Sequence, residues 1–108
     1  PFRIGLNEVE IGMTMHHVGI ELARDRLRKS FLNRSVINAE MFDPQQAMAA
    51  GFLDAVVAPD ELMPAARAVA EDMKRLNMTA HAKTKVKMRA SLLQTLDDAI
   101  EADKTPLW

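Results

Sequence analysis

The chain has 108 residues, 48% of them apolar and only 5% aromatic, with no cysteine and a formal charge of −1 at pH 7. That length suits one domain or part of one, and it allows roughly two-thirds of the unfolded chain's surface to be buried. The balanced charge gives no electrostatic footprint for nucleic acid, the lack of cysteine excludes a disulfide framework and thiolate catalysis and fits a reducing, cytoplasmic setting, and no apolar run approaches the roughly 18 residues of a membrane span.

Residues 2–9 place Phe2, Ile4 and Leu6 on alternate positions, the period of a short strand. The sequence starts at Pro1, already inside that pattern and without an initiator methionine, and is expected to be the C-terminal portion of a larger protein. A loop through Gly12-Met13-Thr14-Met15 leads into a predicted helix over 17–28, with Val18, Leu22, Ala23 and Leu27 on its apolar face. A second helix is expected over 30–39, with Phe31, Val36 and Ile37 inward. Asp43-Pro44-Gln45-Gln46 carries the clearest local signal. Asp43 suits an N-cap, Pro44 the first helical position, Gln46 completes a capping box, and Gly51 closes the helix in the left-handed region. Leu53–Val57 reads as a brief strand before Pro59. From 60 to 76, Leu62, Ala65, Ala66, Val69, Met73 and Leu76 follow amphipathic spacing, with Pro64 in the first turn. Helices are further expected over 80–90 and from a cap at Thr95–Asp98 to about 103, with Pro106 as the stop of that last helix. The picture is mainly α with two short extended segments, divided into 1–57 and a helical region over 58–108. Two short strands do not make a sheet with a buried face, so their ladder partners are expected in further polypeptide.

Few side chains here carry chemistry. Glu8 sits at a strand end, where a carboxylate either caps the following loop or pairs with an arginine, or else projects into a cleft as an acid/base group. Glu10, two residues on, reads as a loop carboxylate. His16 and His17 read as polar or capping groups at a helix start. Adjacent histidines do not face one point on a helix, so no metal site is expected. Eight methionines are expected to serve packing and subunit faces. Lys83/Lys87 and Lys85/Arg89 form two i,i+4 pairs on different helix faces, most of them a solvated surface.

The order of these signals is similar to a known family. Glu8-Val9-Glu10-Ile11-Gly12 resembles the Pro-Glu-(Ile/Val)-x-(Leu/Ile)-Gly segment of the crotonase superfamily, the enoyl-CoA hydratases and isomerases. The run from Asn38 through the Asp43 helix to Ala47-Met48-Ala49-Ala50-Gly51-Phe52-Leu53-Asp54-Ala55-Val56-Val57 is similar to the family's helix and alanine-x-x-x-glycine-leucine-valine-aspartate-x-valine-valine segment. Pro59-Asp60-Glu61-Leu62, the alanine-rich helix and the helix bearing Lys83 and Lys85 follow in the family's order. The resemblance covers nearly the whole chain and corresponds to the family's C-terminal half. It departs at His16 and His17, where the family shows a Pro-Gly-x-Gly-Gly loop of which only Gly19 survives.

The resemblance implies the end of a crotonase-like α/β spiral of ββα units together with its helical trimerisation region, and a homo-oligomer, trimer or hexamer. It implies an acyl-CoA thioester as substrate, no separate cofactor, and an oxyanion hole and second acid supplied by the missing N-terminal half of the same fold. Glu8 falls on one of the two catalytic glutamates and is expected to act as acid/base in hydrating a 2-enoyl-CoA. Met13 and Met15, which flank the active-site loop, His16 and His17, and Lys85 near the CoA phosphates are the substrate-binding candidates. The alternative is a non-catalytic oligomerisation module that contributes subunit contacts and part of an acyl-CoA site. The isolated 108 residues are expected to be inactive.

Overall fold

The computed structural model describes residues 2–105. Eight elements carry the fold: β1 (Ile4–Gly5), α1 (His17–Arg26), α2 (Lys29–Val36), β2 (Met41–Phe42), α3 (Pro44–Ala50), α4 (Leu62–Met73), α5 (Met78–Met88) and α6 (Ala90–Asp103). A 3-10 turn at Pro59–Glu61 precedes α4. The chain forms two compact units, one up to Val56 together with the residues from Leu92 onward, the other Val57–Ser91. The stretch 58–108, a single region in the sequence reading, is therefore divided after Ser91.

The first unit holds a small sheet. β1 pairs antiparallel with β2, with Ile4 opposite Phe42 and Gly5 opposite Met41. This corrects two expectations. The strand over 2–9 shrinks to Ile4–Gly5, and Phe2 is exposed. The partner strand is Met41–Phe42, whereas residues 53–57 have no strand structure. A two-residue strand has no alternating period to read, so β2 was silent in sequence. Phe42 is 1% exposed, and the rings of Phe31 and Phe52 each stand 5.9 Å from it between centroids. Arg34 forks onto both Glu40 carboxylate oxygens at 2.7 Å and lies 4.6 Å over the Phe31 ring. That bidentate contact holds the Glu40 carboxyl below its ordinary range and the Arg34 guanidinium above its own.

α3 forms as its sequence dictates. Asp43 accepts from the Gln46 N–H while the Gln46 side chain accepts from the Asp43 N–H, and Pro44 opens the helix. Gly51 ends it at φ 107°, and a Cβ there would stand 2.9 Å from the Arg26 carbonyl oxygen. Ala47 and Ala50 are fully buried. Met15, Ala23, Leu27 and Val36 form the rest of the core, with Leu6, Ile20, Leu32 and Phe52 packed on it. The inward face of α1 thus runs through Ile20, Ala23 and Leu27. Leu22, expected inward, lies on the opposite side of the helix and is exposed. Ile37 is exposed as well, because α2 ends at Val36 rather than 39.

Helix α6 begins at Ala90, not at Thr95–Asp98. Leu92, Thr95, Leu96, Ala99 and Asp103 are its shielded positions, a 3-4 spacing whose burial outweighs the capping preference of the Thr-Leu-Asp-Asp run. Pro106, read as the helix stop, lies outside the described residues. In the second unit Pro64 lies in the first turn of α4, where its missing N–H costs nothing. Asn77 caps α5 by accepting from the Ala80 N–H at 3.0 Å. No helix among the described residues is long and apolar enough to cross a membrane.

Candidate active site

Glu8 opens a compact turn between β1 and α1. The Ile11 N–H donates to the Asn7 carbonyl, Gly12 to Val9, and Met13 to Glu8 itself at 2.7 Å. Gly12 sits at φ 87°, the left-handed conformation that lets the turn close. The Glu8 side chain does not reach bulk solvent freely. Its Oε2 is buried and has no hydrogen-bond donor within the described residues. Glu10, by contrast, is exposed.

Beside this turn lies a hollow of about 500 Å³, walled by Val9, Gly12, Met13, Ile20, Val36 and Ile37 among others. Met13 and Met15 both line it, with different roles. Met13 is exposed, whereas Met15 is buried in the core and so anchors the loop as well as closing the hollow floor. Glu8 is not itself in that wall, although its neighbour Val9 is.

His16 and His17 stand at the start of α1. His16 is the N-cap, its Nδ1 accepting from the Gly19 N–H at 2.8 Å. Gly19 makes that possible. A Cβ at position 19 would lie 2.6 Å from His16 Cε1 and 2.9 Å from the Met15 sulfur. The missing Cβ at position 19 thus makes room for the His16 ring. The His17 side chain is exposed, and it is the backbone there that is engaged. Asp103 reaches from the end of α6 and accepts from the His17 N–H at 2.7 Å and the Val18 N–H at 2.9 Å. The Val18 N–H foremost, and then the His17 N–H, hold the Asp103 carboxyl below the ordinary aspartate range, and the neighbouring imidazoles act in the same direction.

Lys85 belongs to the second unit. It lines a hollow of about 420 Å³ with Leu76, Asn77, His81, Met88 and Arg89. Lys83 and Lys87 take no part in that wall, as the two-face spacing predicts. His81 lies half-buried one turn into α5.

The sequence matches the family described as enoyl-CoA hydratase/isomerase over residues 2–107. The chain belongs to that family. An enoyl-CoA hydratase/isomerase family protein from Pseudomonas syringae superimposes with a TM-score of 0.94 at 73% identity, covering 95% of this chain and 45% of that one. An enoyl-CoA hydratase from Mycobacterium ulcerans gives a TM-score of 0.88 at 32% identity, with 95% and 45% covered. An enoyl-CoA isomerase from Mycobacterium tuberculosis gives 0.89 at 33%, with 95% and 46% covered. The chain therefore spans a little under half the length of these hydratase/isomerase structures. No curated protein matches it. The resemblance to the crotonase superfamily is borne out, and the mainly helical architecture with its two-stranded sheet is that of a crotonase-fold piece.

Sequence reasoning passed over Asp103, Val36 and Ile37 in the surroundings of the Glu8 loop. Nothing local marks Asp103, whose backbone partners lie 85 and 86 residues away. Ile37 gave the wrong cue, because an apolar residue after a helical run reads as core.

Proposed function

We propose that the whole protein acts on an acyl-CoA thioester and adds water to a 2-enoyl-CoA, with Glu8 as the acid/base residue. The observation that carries this reading is the buried Oε2 of Glu8, which has no donor among the described residues. A carboxyl oxygen shielded from water without a partner is costly, and its place in the turn next to an apolar hollow supports a functional reading. In the proposed step the Glu8 carboxylate takes a proton from water as the oxygen bonds to the β-carbon. The electron pair of the double bond moves to the α-carbon and thioester carbonyl, and a proton then returns to the α-carbon. Negative charge develops on the thioester oxygen and needs N–H donors. These, and a second acid, are assigned in this reading to polypeptide outside residues 1–108. Met13, Met15 and the apolar hollow supply a wall for the acyl portion.

The test is the hydration of a short 2-enoyl-CoA by the full-length protein, followed by loss of the conjugated thioester absorbance. Glu8→Gln is expected to lower kcat by about 10²–10⁴-fold. Undiminished turnover removes Glu8 from the mechanism. If the protein instead converts a 3-enoyl-CoA to its 2-enoyl isomer without hydrating it, the same carboxylate moves a proton between the α- and γ-carbons and the reaction type changes.

A second reading, assembly, rests on the second unit, where no described residue is buried and Leu62, Met63, Val69, Val86 and Met88 are all exposed. Apolar faces of that kind call for cover, and we assign it to further copies of the protein in a trimer or hexamer. Sedimentation of the full-length protein as a monomer at micromolar concentration overturns that assignment.

A further inference from the structure

We infer that Asp103 is a positioning residue for the Glu8 loop, a role that rests on the acid/base reading of Glu8. The loop hangs between two anchors. Its N-terminal end is fixed where β1 pairs with β2, Ile4 opposite Phe42. Its C-terminal end runs through Met13, whose N–H holds the Glu8 carbonyl at 2.7 Å, and the buried Met15 to the first turn of α1. Among the described residues no strand runs beside that first turn. The first N–H groups of any helix lack partners within the helix. His16 satisfies one of them, at Gly19. Asp103 satisfies two more, at His17 and Val18, with one carboxylate oxygen for each.

This contact differs from the other ion pairs and carboxylate hydrogen bonds of α6. Among the described residues Glu101 pairs with Lys104 and Gln94 with Asp98, both contacts between positions three or four apart. Asp103 alone among these joins α6 to the segment that follows Glu8, across 85 residues of sequence. A negative charge at a helix N-terminus is favoured by the macrodipole and by the charge-assisted bonds themselves. The carboxylate therefore sets where α1 begins, and through the short Met13–His16 segment it limits how far the Glu8 turn can shift. Misplacement of a reacting group by about 1 Å is enough to cost on the order of 10²-fold in rate. Loosening one of two anchors is expected to give a smaller loss.

The experiment compares the full-length protein with its Asp103→Ala, Asp103→Asn and Glu101→Ala variants. Asp103→Ala is expected to lower kcat about tenfold with KM within about twofold, after correction for the folded fraction, and to speed amide exchange at His17 and Val18. Asp103→Asn keeps the shape and one acceptor oxygen, and is expected to recover part of kcat and part of the protection. Glu101→Ala, which removes a carboxylate from the same end of α6, leaves both unchanged. Asp103→Ala with wild-type kcat and wild-type exchange overturns the proposal even where Glu8→Gln abolishes turnover. An equal loss in Asp103→Ala and Glu101→Ala also overturns it, since general helix destabilisation then explains the effect. If Glu8→Gln itself turns over normally, the functional reading falls and takes this role with it, a result distinguishable from the first by the Glu8 variant.

Discussion

The two compact units of this chain solve the same problem differently. Every buried residue among the described ones lies in the first unit, built on Phe42, the alanines of α3 and the Met15–Leu27 cluster. The second unit, Val57–Ser91, buries none, although α4 carries as clear an amphipathic pattern as any segment here. The first unit closes its core by joining segments far apart in sequence, β1 to β2 and α6 to α1. The second has only neighbouring helices to draw on, and it is shorter than the roughly 40 residues below which chains usually need outside help. An apolar stripe states that a face wants cover. It does not supply the cover.

Substitutions test this contrast. Phe42→Ala removes the ring that Phe31 and Phe52 contact, and it is expected to lower unfolding free energy by about 3–5 kcal/mol in urea titration. Asp43→Ala breaks the capping box of α3 and is expected to cost about 1 kcal/mol. Val86→Ala, at a position 63% exposed within the chain, is expected to change the stability of dissociated protomers by no more than about 0.5 kcal/mol, whatever it does to their association. A loss at Val86 comparable to that at Phe42 in dissociated protomers breaks the contrast, because it means that the chain itself covers that face.

Acid sharpens it in another way. Glu40 and Asp103, both in the first unit, have carboxyls held below their ordinary ranges, by the Arg34 side chain and by the α1 N–H groups respectively. A carboxyl whose folded value is depressed stabilises the fold above its unfolded pKa, and that contribution is lost as pH falls through the lower folded value. Thermal midpoints are therefore expected to hold from neutrality to about pH 4 and to drop below it, within and under the ordinary carboxylate range. Glu40→Gln is expected to lower the midpoint at pH 7 and to approach the parent at the acid end. A parallel offset at every pH removes the Arg34–Glu40 pair as a source of the acid sensitivity.

Much of the local structure was legible residue by residue. Asp43, Pro44, Gln46 and Gly51 specified α3 because each acts on backbone groups within one turn. Pro64 fixed the start of α4 to within its first turn, and the lysine spacing separated Lys85 and Arg89 from Lys83 and Lys87. The site was less legible. Glu8 was found through an ordered series of motifs, not through its own surroundings, and Met15 looked like a cleft residue when it is equally a core anchor. The strand over 2–9 was overread because alternation in eight residues does not reveal how long a partner runs alongside.

The amino-acid order alone thus determined the family, the capping box and left-handed end of α3 and the separation of the two lysine pairs, since all of these depend on residues close together or on a pattern in series. Only the tertiary structure decided that Met41–Phe42 is the partner of β1, that Glu8 keeps a buried oxygen with no donor among the described residues, and that Asp103 holds the start of α1. Each of those facts requires two distant segments to meet, and the free energy that brings them together resides in the core they share, not in either segment by itself.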